Sequence, residues 1–536
     1  MKLRQEELKN VEVWEKAGFE LPKFNREEMI KNTKENPEWI HFGAGNIFRA
    51  FPAAVCQELL NKGILNTGII VAEGYDYEII EKSYKKFDDL SVLVTLKANG
   101  SLEKKVIGSM AESLTVDTSN SHDWNRLKEI FRSKSLKMVS FTITEKGYSL
   151  VDANGEFLKD VANDFTKETS VATSYMGKLV ALCYERFKNG KLPLTLVSMD
   201  NCSHNGTKLQ NAVTTFAENW VNNKIVEPEF LTYVKEDISY PWSMIDKITP
   251  RPAESVIKML NEVGFEDTEA VVTSKNTYVA PFVNAEESQY LVIEDNFKNG
   301  RLPLDKGGII YTDRDTVDKV EKMKVCTCLN PLHTALAVYG CLLSYSKISD
   351  EMKDKELVTL IENIGYKEGL PVVVDPGIIS PKDFIDQVLQ VRLPNPFMPD
   401  TPQRIASDTS QKLGIRFGET IKAYVKDPNL DVNSLKFIPL VIAGWCRYLM
   451  GIDDNGNPFE LSPDPLLSVL TPIMADVKLG ENNDIHKPLS QILSNKSIFG
   501  VDLYEIGLGE KIEAYFKELN MGKGAVRSTL QKYCAL

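Results

Sequence analysis

The stretch Trp39-Ile-His-Phe-Gly-Ala-Gly-Asn-Ile-Phe-Arg49 decides the fold. Its first four residues are an apolar run of strand length, Gly43-Ala-Gly45 offers a tight turn, and a helical pattern follows through Leu60. Glycines at 43 and 45 leave room for backbone N–H groups to approach a pyrophosphate at a helix N-terminus. Gly43, Ala44, Gly45, Asn46, Phe48 and Arg49 are therefore candidates to border a bound dinucleotide. Phe48 stands where the usual fingerprint has its third glycine, so a plain strand-to-helix turn is the competing reading.

Working outward, the next apolar run, 68–72, ends at Glu73. An acid closing the second strand accepts hydrogen bonds from a ribose diol and repels a 2′-phosphate, which favours NAD over NADP. Asp76 is the rival for that role. Further strands are expected over 137–144 and Leu194–Ser198, a helix over 176–187, and a β-hairpin from 91–97 and 105–110. Strands alternating with helices imply a parallel α/β sheet. Open sheets of this kind bind ligands beyond the C-terminal ends of their strands, which singles out Asn201, although helix capping is the commoner use of such a residue. Asp246, in a turn-rich segment, is placed to meet a sugar hydroxyl. Composition shifts near Asn299-Gly-Arg-Leu-Pro303. Beyond it, 3.6-residue periodicity dominates over 335–346, 356–364, 381–392, 435–449 and 510–519. The expected architecture is an α/β, Rossmann-type dinucleotide-binding domain over 1–303 followed by a mainly α-helical domain over 304–536.

The length of 536 residues exceeds what one core supports. A net charge of −12 with no basic stripe argues against a nucleic-acid partner. No apolar run reaches membrane-spanning length, and the charged N-terminus does not resemble a signal peptide, so a cytoplasmic location without a membrane partner is expected. Eight dispersed cysteines suit reduced thiols, and Cys326 and Cys328 lack the spacing of a metal knuckle. Five dispersed histidines form no His-Glu-x-x-His pattern, so no metal is expected.

Lys324-Val-Cys-Thr-Cys-Leu-Asn-Pro-Leu-His333 gathers the chemistry a carbonyl reduction needs. Lys324 can exchange a proton, Asn330 can donate a hydrogen bond to a developing alkoxide, and His333 can orient or relay. A helix that carries these residues for other reasons is the bland alternative. Arg404-Ile-Ala-Ser-Asp-Thr-Ser-Gln-Lys412 concentrates hydroxyls and two cations, as either a solvated helix start or a pocket for hydroxyl and carboxylate groups.

Taken together, HFGAGNIFRAF (41–51), TITEKGY (142–148), SMDNCSHNG (198–206), MIDKITP (244–250), VIEDNFKNGRLPL (292–304), the Lys-Asn-His segment, RIASDTSQK (404–412) and AGWCRYLMGIDDNG (443–456) resemble the long-chain mannitol dehydrogenase family of polyol and hexuronate dehydrogenases. The resemblance implies NAD(H)-dependent, metal-independent hydride transfer at the cleft between two domains. It places the general acid/base on Lys324, the oxyanion-binding amides on Asn201 and Asn330, the histidine on His333, and substrate contacts on Asp246, Arg404 and Lys412. The substrate would be a small sugar acid or polyol: D-fructuronate and D-mannonate lead, with D-mannitol and D-fructose, or tagaturonate, as alternatives. An NAD(H)-binding sensor without catalysis is the non-enzyme alternative, and a monomer or small homo-oligomer is expected.

One departure stands at the centre. The family spaces Lys and Asn as K-x-x-x-x-N, and here one residue more intervenes. On an ideal helix a lysine eight positions before the histidine lies about 80° away, whereas nine positions put it on the opposite face, at about 180°. A local bulge between Lys324 and Pro331 would absorb the extra residue, since proline inside a helix breaks the hydrogen-bond ladder. Lys322 is the alternative proton carrier.

Overall fold

The computed structural model describes residues 1–481 and 483–535. It divides into two compact units, Met1–Lys97 with Ser101–Asp318, and Ala98–Gly100 with Lys319–Leu536.

The first unit is built on six parallel strands: β1 (Trp39–Phe42), β2 (Ile69–Glu73), β3 (Met110–Thr115), β4 (Met138–Phe141), β5 (Leu194–Ser198) and β6 (Ile238–Ser239). Their order, β3-β2-β1-β4-β5-β6, is that of a Rossmann sheet, with the winding direction reversing between β1 and β4. The strands read as unbroken apolar runs because helices cover both faces. Ile40, Phe42, Ile70, Ala72, Val139 and Phe141 face one core with Leu127, Leu179, Phe216 and Trp220. Trp39, Ile69, Val71, Met138 and Val197 face another with Phe48, Leu59 and Ile80.

Three local expectations are revised. The helix after the glycine turn is two helices, Asn46–Ala50 and Pro52–Asn61, parted at Phe51 (φ −129°, ψ −71°). Pro52 forces this, because a proline ring disfavours a helical residue before it and suits a first helical position. The hairpin pairs Ser91–Leu96 with Leu102–Ile107, while Met110 opens β3 in the other sheet. The first unit also runs past Pro303 to Asp318, since strand Ile310–Thr312 pairs in parallel with Tyr290–Glu294, which pairs with Ser243–Asp246.

In the second unit no strand element occurs among the described residues. Its core helices include Asn330–Leu342, Phe437–Tyr448 and Gly509–Leu519. Among the described residues four π-helical segments interrupt its helices: Lys324–Cys328, Asn363–Gly369, Val388–Arg392 and Gly414–Gly418. The stretch Arg314–Leu342, helical on both sides of Leu329, is long and apolar enough to cross a bilayer, against the expectation from sequence. Its apolar window is 72% buried inside the protein, as in a core helix.

Candidate active site

In the first unit the candidate residues gather at the C-terminal ends of β1, β2, β4 and β5, on either side of the reversal point. The two glycines of the turn do different work. Gly43 has φ +106°, and a Cβ there would sit 2.2 Å from the Thr142 carbonyl oxygen, so only glycine lets the ends of β1 and β4 stay adjacent. Gly45 has φ −78°, and a Cβ there would meet nothing within 4 Å. The space beside Gly45 is therefore open, as a phosphate approaching the backbone requires.

Glu73 closes β2 and reaches back to the turn. Its Oε2 accepts from the Ala44 N–H at 2.9 Å, and its Oε1 accepts from the N–H groups of Tyr75 (2.7 Å) and Asp76 (3.1 Å). A carboxylate has about four acceptor directions, so roughly one remains for a ribose hydroxyl. Asp76, also buried, accepts from the Thr273 hydroxyl at 2.5 Å and holds a distant segment instead. These features fit a nicotinamide dinucleotide: a strand, an open glycine turn, a helix start, and an acid tied to that turn.

Two of the residues proposed to border the cofactor turn inward. Phe48 is fully buried and stacks on His41 with ring centroids 4.3 Å apart, which explains the missing third glycine. His41 is clamped between the Ser140 and Thr142 hydroxyls, and burial pushes its ring down to about 3, so it is neutral. Arg49, also buried, donates to Ala280 O (2.7 Å) and to Asn46 Oδ1 (2.9 Å). Its charge serves the fold, and only backbone groups of 48 and 49 remain for a ligand.

Beyond β5, Asn201 is exposed, and its side-chain amide has no hydrogen bond among the described residues. Asp200, a neighbour the sequence reading passed over, fixes the loop. Its carboxylate accepts from the N–H groups of Ile143 (2.9 Å) and Thr144 (2.8 Å) and from the Tyr148 hydroxyl (2.6 Å). Burial raises the Asp200 carboxyl, and those three donors pull it back. Asp246 is buried at the end of strand Ser243–Asp246.

In the second unit, Lys324 opens the π-helical segment Lys324–Cys328, and the Leu329 N–H donates to the Lys324 carbonyl five residues back. Leu329 then leaves helical geometry (φ −126°, ψ −61°), and Asn330 starts the next helix with Pro331 at its first turn. The wide turn absorbs the extra residue, and the proline sits where its missing N–H costs nothing. Lys324 is buried and Lys322 is exposed. Asn330 is half-buried one turn before Thr334, whose hydroxyl donates to the Asn330 carbonyl at 2.9 Å.

His333 lies amid positive charge. Burial first, then Arg416, Arg404, Arg392 and Lys412, push its ring down to about 3, so it is neutral near pH 7. Its Nε2 is buried without a hydrogen bond among the described residues, and Asp400 Oδ2 is 3.6 Å away, beyond bonding distance. Arg404 is mostly exposed and pairs with Asp400, while Lys412 donates to the Ser407 carbonyl. Burial is the main influence lowering the Lys412 ammonium, followed by Arg416. Among the described residues no group of three His, Cys, Asp or Glu side chains converges as a metal ion requires.

Residues 37–306 match the mannitol dehydrogenase Rossmann domain, and residues 316–520 match the mannitol dehydrogenase C-terminal domain. The chain belongs to the mannitol dehydrogenase family. Within it, the chain is 54% identical over 534 residues to a D-mannonate oxidoreductase of Thermotoga maritima, covering 99% of each. It is similar to the structure of Pseudomonas fluorescens mannitol 2-dehydrogenase in ternary complex with NAD and D-mannitol (25% identity, TM-score 0.68, 99% of each chain). It shares its fold with a D-sorbitol dehydrogenase in substrate-free form (24% identity, TM-score 0.80, 96% of this chain and 98% of that one). The family matches leave 307–315 between them, and this stretch includes strand Ile310–Thr312 of the first unit.

Proposed function

We propose that this mannitol dehydrogenase family member interconverts D-fructuronate and D-mannonate with NAD(H), in the cytoplasm, with no metal, nucleic-acid or membrane partner. The observation that carries this reading is the 54% identity, over 99% of both chains, to a D-mannonate oxidoreductase. When bound, the nicotinamide cofactor supplies or accepts the hydride. The chain's own residues hold the oxygen and move its proton.

In this reading Gly43, Ala44, Gly45 and Asn46 offer backbone groups to the pyrophosphate, and Glu73 offers its remaining acceptor to the adenosine ribose. Its negative charge favours NAD over NADP. Lys324 gives a proton to the oxygen during reduction and removes it during oxidation. Asn201 and Asn330 donate to that oxygen as charge develops on it, a role whose loss costs about 100- to 1,000-fold in rate. His333, neutral and with a buried ring nitrogen that makes no hydrogen bond among the described residues, orients the substrate, and Asp246, Arg404 and Lys412 line its pocket.

The test is NADH oxidation by the purified protein with D-fructuronate, tagaturonate and D-fructose offered separately. Turnover with fructuronate, with D-mannonate identified as product by NMR, supports the reading. Turnover confined to fructose would reassign the protein to polyol chemistry, and NADH binding without turnover of any of the three would make it a sensor.

A further inference from the structure

Arg416 stands apart from four other cations of the second unit. Arg404 is 61% exposed and paired with Asp400, Lys412 faces the charges of Asp408 and Asp464, and Arg527 pairs with Asp354 and Glu356. Arg447, though buried, spends its fork on the carbonyls of Ile452 and Asp453. The Arg416 side chain is partly withdrawn from water, and among the described residues its only partner is a neutral one, the Thr334 hydroxyl at 2.5 Å. No carboxylate offsets its burial, which pulls the guanidinium down to about 10. Withdrawing a guanidinium without an anion is costly, and removing a charge's partner is among the most destabilising changes known. A planar fork with five donors, one of them in use, has the geometry to take a carboxylate through two parallel N–H···O bonds.

Its position ties it to the chemistry of the same unit. Arg416 lies on the π-helical segment Gly414–Gly418, which packs against Lys324–Cys328 and against helix Asn330–Leu342. The hydroxyl that receives its Nη1 donates in turn to the Asn330 carbonyl, so guanidinium, Thr334 and Asn330 form one connected chain. Among the charges acting on His333, that of Arg416 comes first. Two wide turns side by side thus carry a buried lysine and an acid-free arginine, and wide turns of this kind recur at functional sites.

We propose that Arg416 receives the carboxylate of the sugar acid and makes this enzyme selective for a keto uronate over a neutral ketose. Arg404 and Lys412 already have partners, so they steer the anion, and Arg416 closes on it. This inference rests on the fructuronate and mannonate reading above and names the residue that makes it specific.

The test compares kcat/KM for D-fructuronate and for D-fructose, with NADH, in the wild type, Arg416→Gln, Arg416→Lys and Thr334→Val. Arg416→Gln should lower the fructuronate value about 100-fold, mostly through KM, and leave fructose within about threefold. Arg416→Lys, a charge without the fork, should fall between. Thr334→Val frees the guanidinium from its anchor and should reduce the fructuronate-to-fructose ratio several-fold, which keeps the inference testable if Arg416→Gln fails to fold. A folded Arg416→Gln protein that keeps the wild-type ratio, or loses both substrates equally, would overturn it, as would an unchanged ratio in Thr334→Val. If the wild type itself reduces fructose and not fructuronate, the functional reading fails before any variant is made.

Discussion

Glu351 offers a quantitative test of how the second unit is packed. It ends helix Ile348–Glu351, is fully buried, and neither carboxyl oxygen has a hydrogen-bond partner among the described residues. A Cβ on Gly340 would lie 2.2 Å from its Oε1, so the carboxyl is pressed against helix Asn330–Leu342. Burial, and then the charge of Asp354, push this carboxyl up to about 9 from an ordinary 4.5. The folded-state value is raised, so the contribution of Glu351 to stability is full below about pH 4.5 and is lost as pH climbs toward about 9. The slope is about 1.4 kcal/mol per pH unit, and by pH 7, some 2.5 units into the window, the loss reaches about 3 kcal/mol. Glu351→Gln keeps the shape and cannot ionise, so it should be the more stable protein at pH 7, with the gap widening toward pH 8. Two compact units need not unfold together. The measurement is therefore hydrogen exchange of the Asn330–Leu342 amides in both proteins from about pH 5 to about pH 8, corrected for intrinsic exchange. Parallel stability curves across that window would show that Glu351 is ionised or solvated in the native state, and would refute the packing described.

Three further outcomes follow from the site. Gly45→Val should leave stability within about 0.5 kcal/mol and abolish NADH binding, whereas Gly43→Ala should destabilise the first unit because of its φ of +106° and the Thr142 carbonyl; calorimetry and NADH titration separate the two. Glu73→Ser should narrow the preference for NADH over NADPH, and it should also lower the melting temperature, since the Ala44, Tyr75 and Asp76 amides lose a charged acceptor; unchanged stability would mean those bonds are absent. Lys324→Ala should slow reduction and oxidation alike by about 100- to 10,000-fold while NADH affinity holds within about threefold, and near-wild-type turnover would move the proton to another group, with Lys322 the first to test.

Much of this was legible in the sequence because apolar runs and glycines leave direct marks. Trp39–Phe42 alternates between two cores, and Gly43 and Gly45 announced the turn. The absent third glycine could not be explained without seeing Phe48 stacked on His41, since one aromatic residue does not reveal which ring it will meet. The break at Phe51 was readable from Pro52, but the apolar pattern on both sides masked it. Of the four π-helical segments in the second unit, only Lys324–Cys328 left a trace, as one residue too many between Lys324 and Asn330. The others insert a residue into a helix with no fixed spacing to violate. Arg416 is silent for that reason: between exposed Ile415 and buried Phe417 it reads as an ordinary surface cation, and only the wide turn and the lack of an acid mark it out. Composition puts the boundary at Pro303 because Asn299-Gly-Arg-Leu-Pro303 looks like a linker, while the strand that completes the first compact unit, Ile310–Thr312, is only three residues long and leaves little mark in the sequence.

The most direct test of the proposed activity is the ratio of kcat/KM for D-fructuronate to that for D-fructose, measured as NADH oxidation by the wild-type protein under identical conditions. The proposed site, with cations gathered around His333, should favour the uronate by more than about 100-fold. A ratio at or below one would contradict the account, because the cations around His333 would then be doing nothing for the substrate's charge.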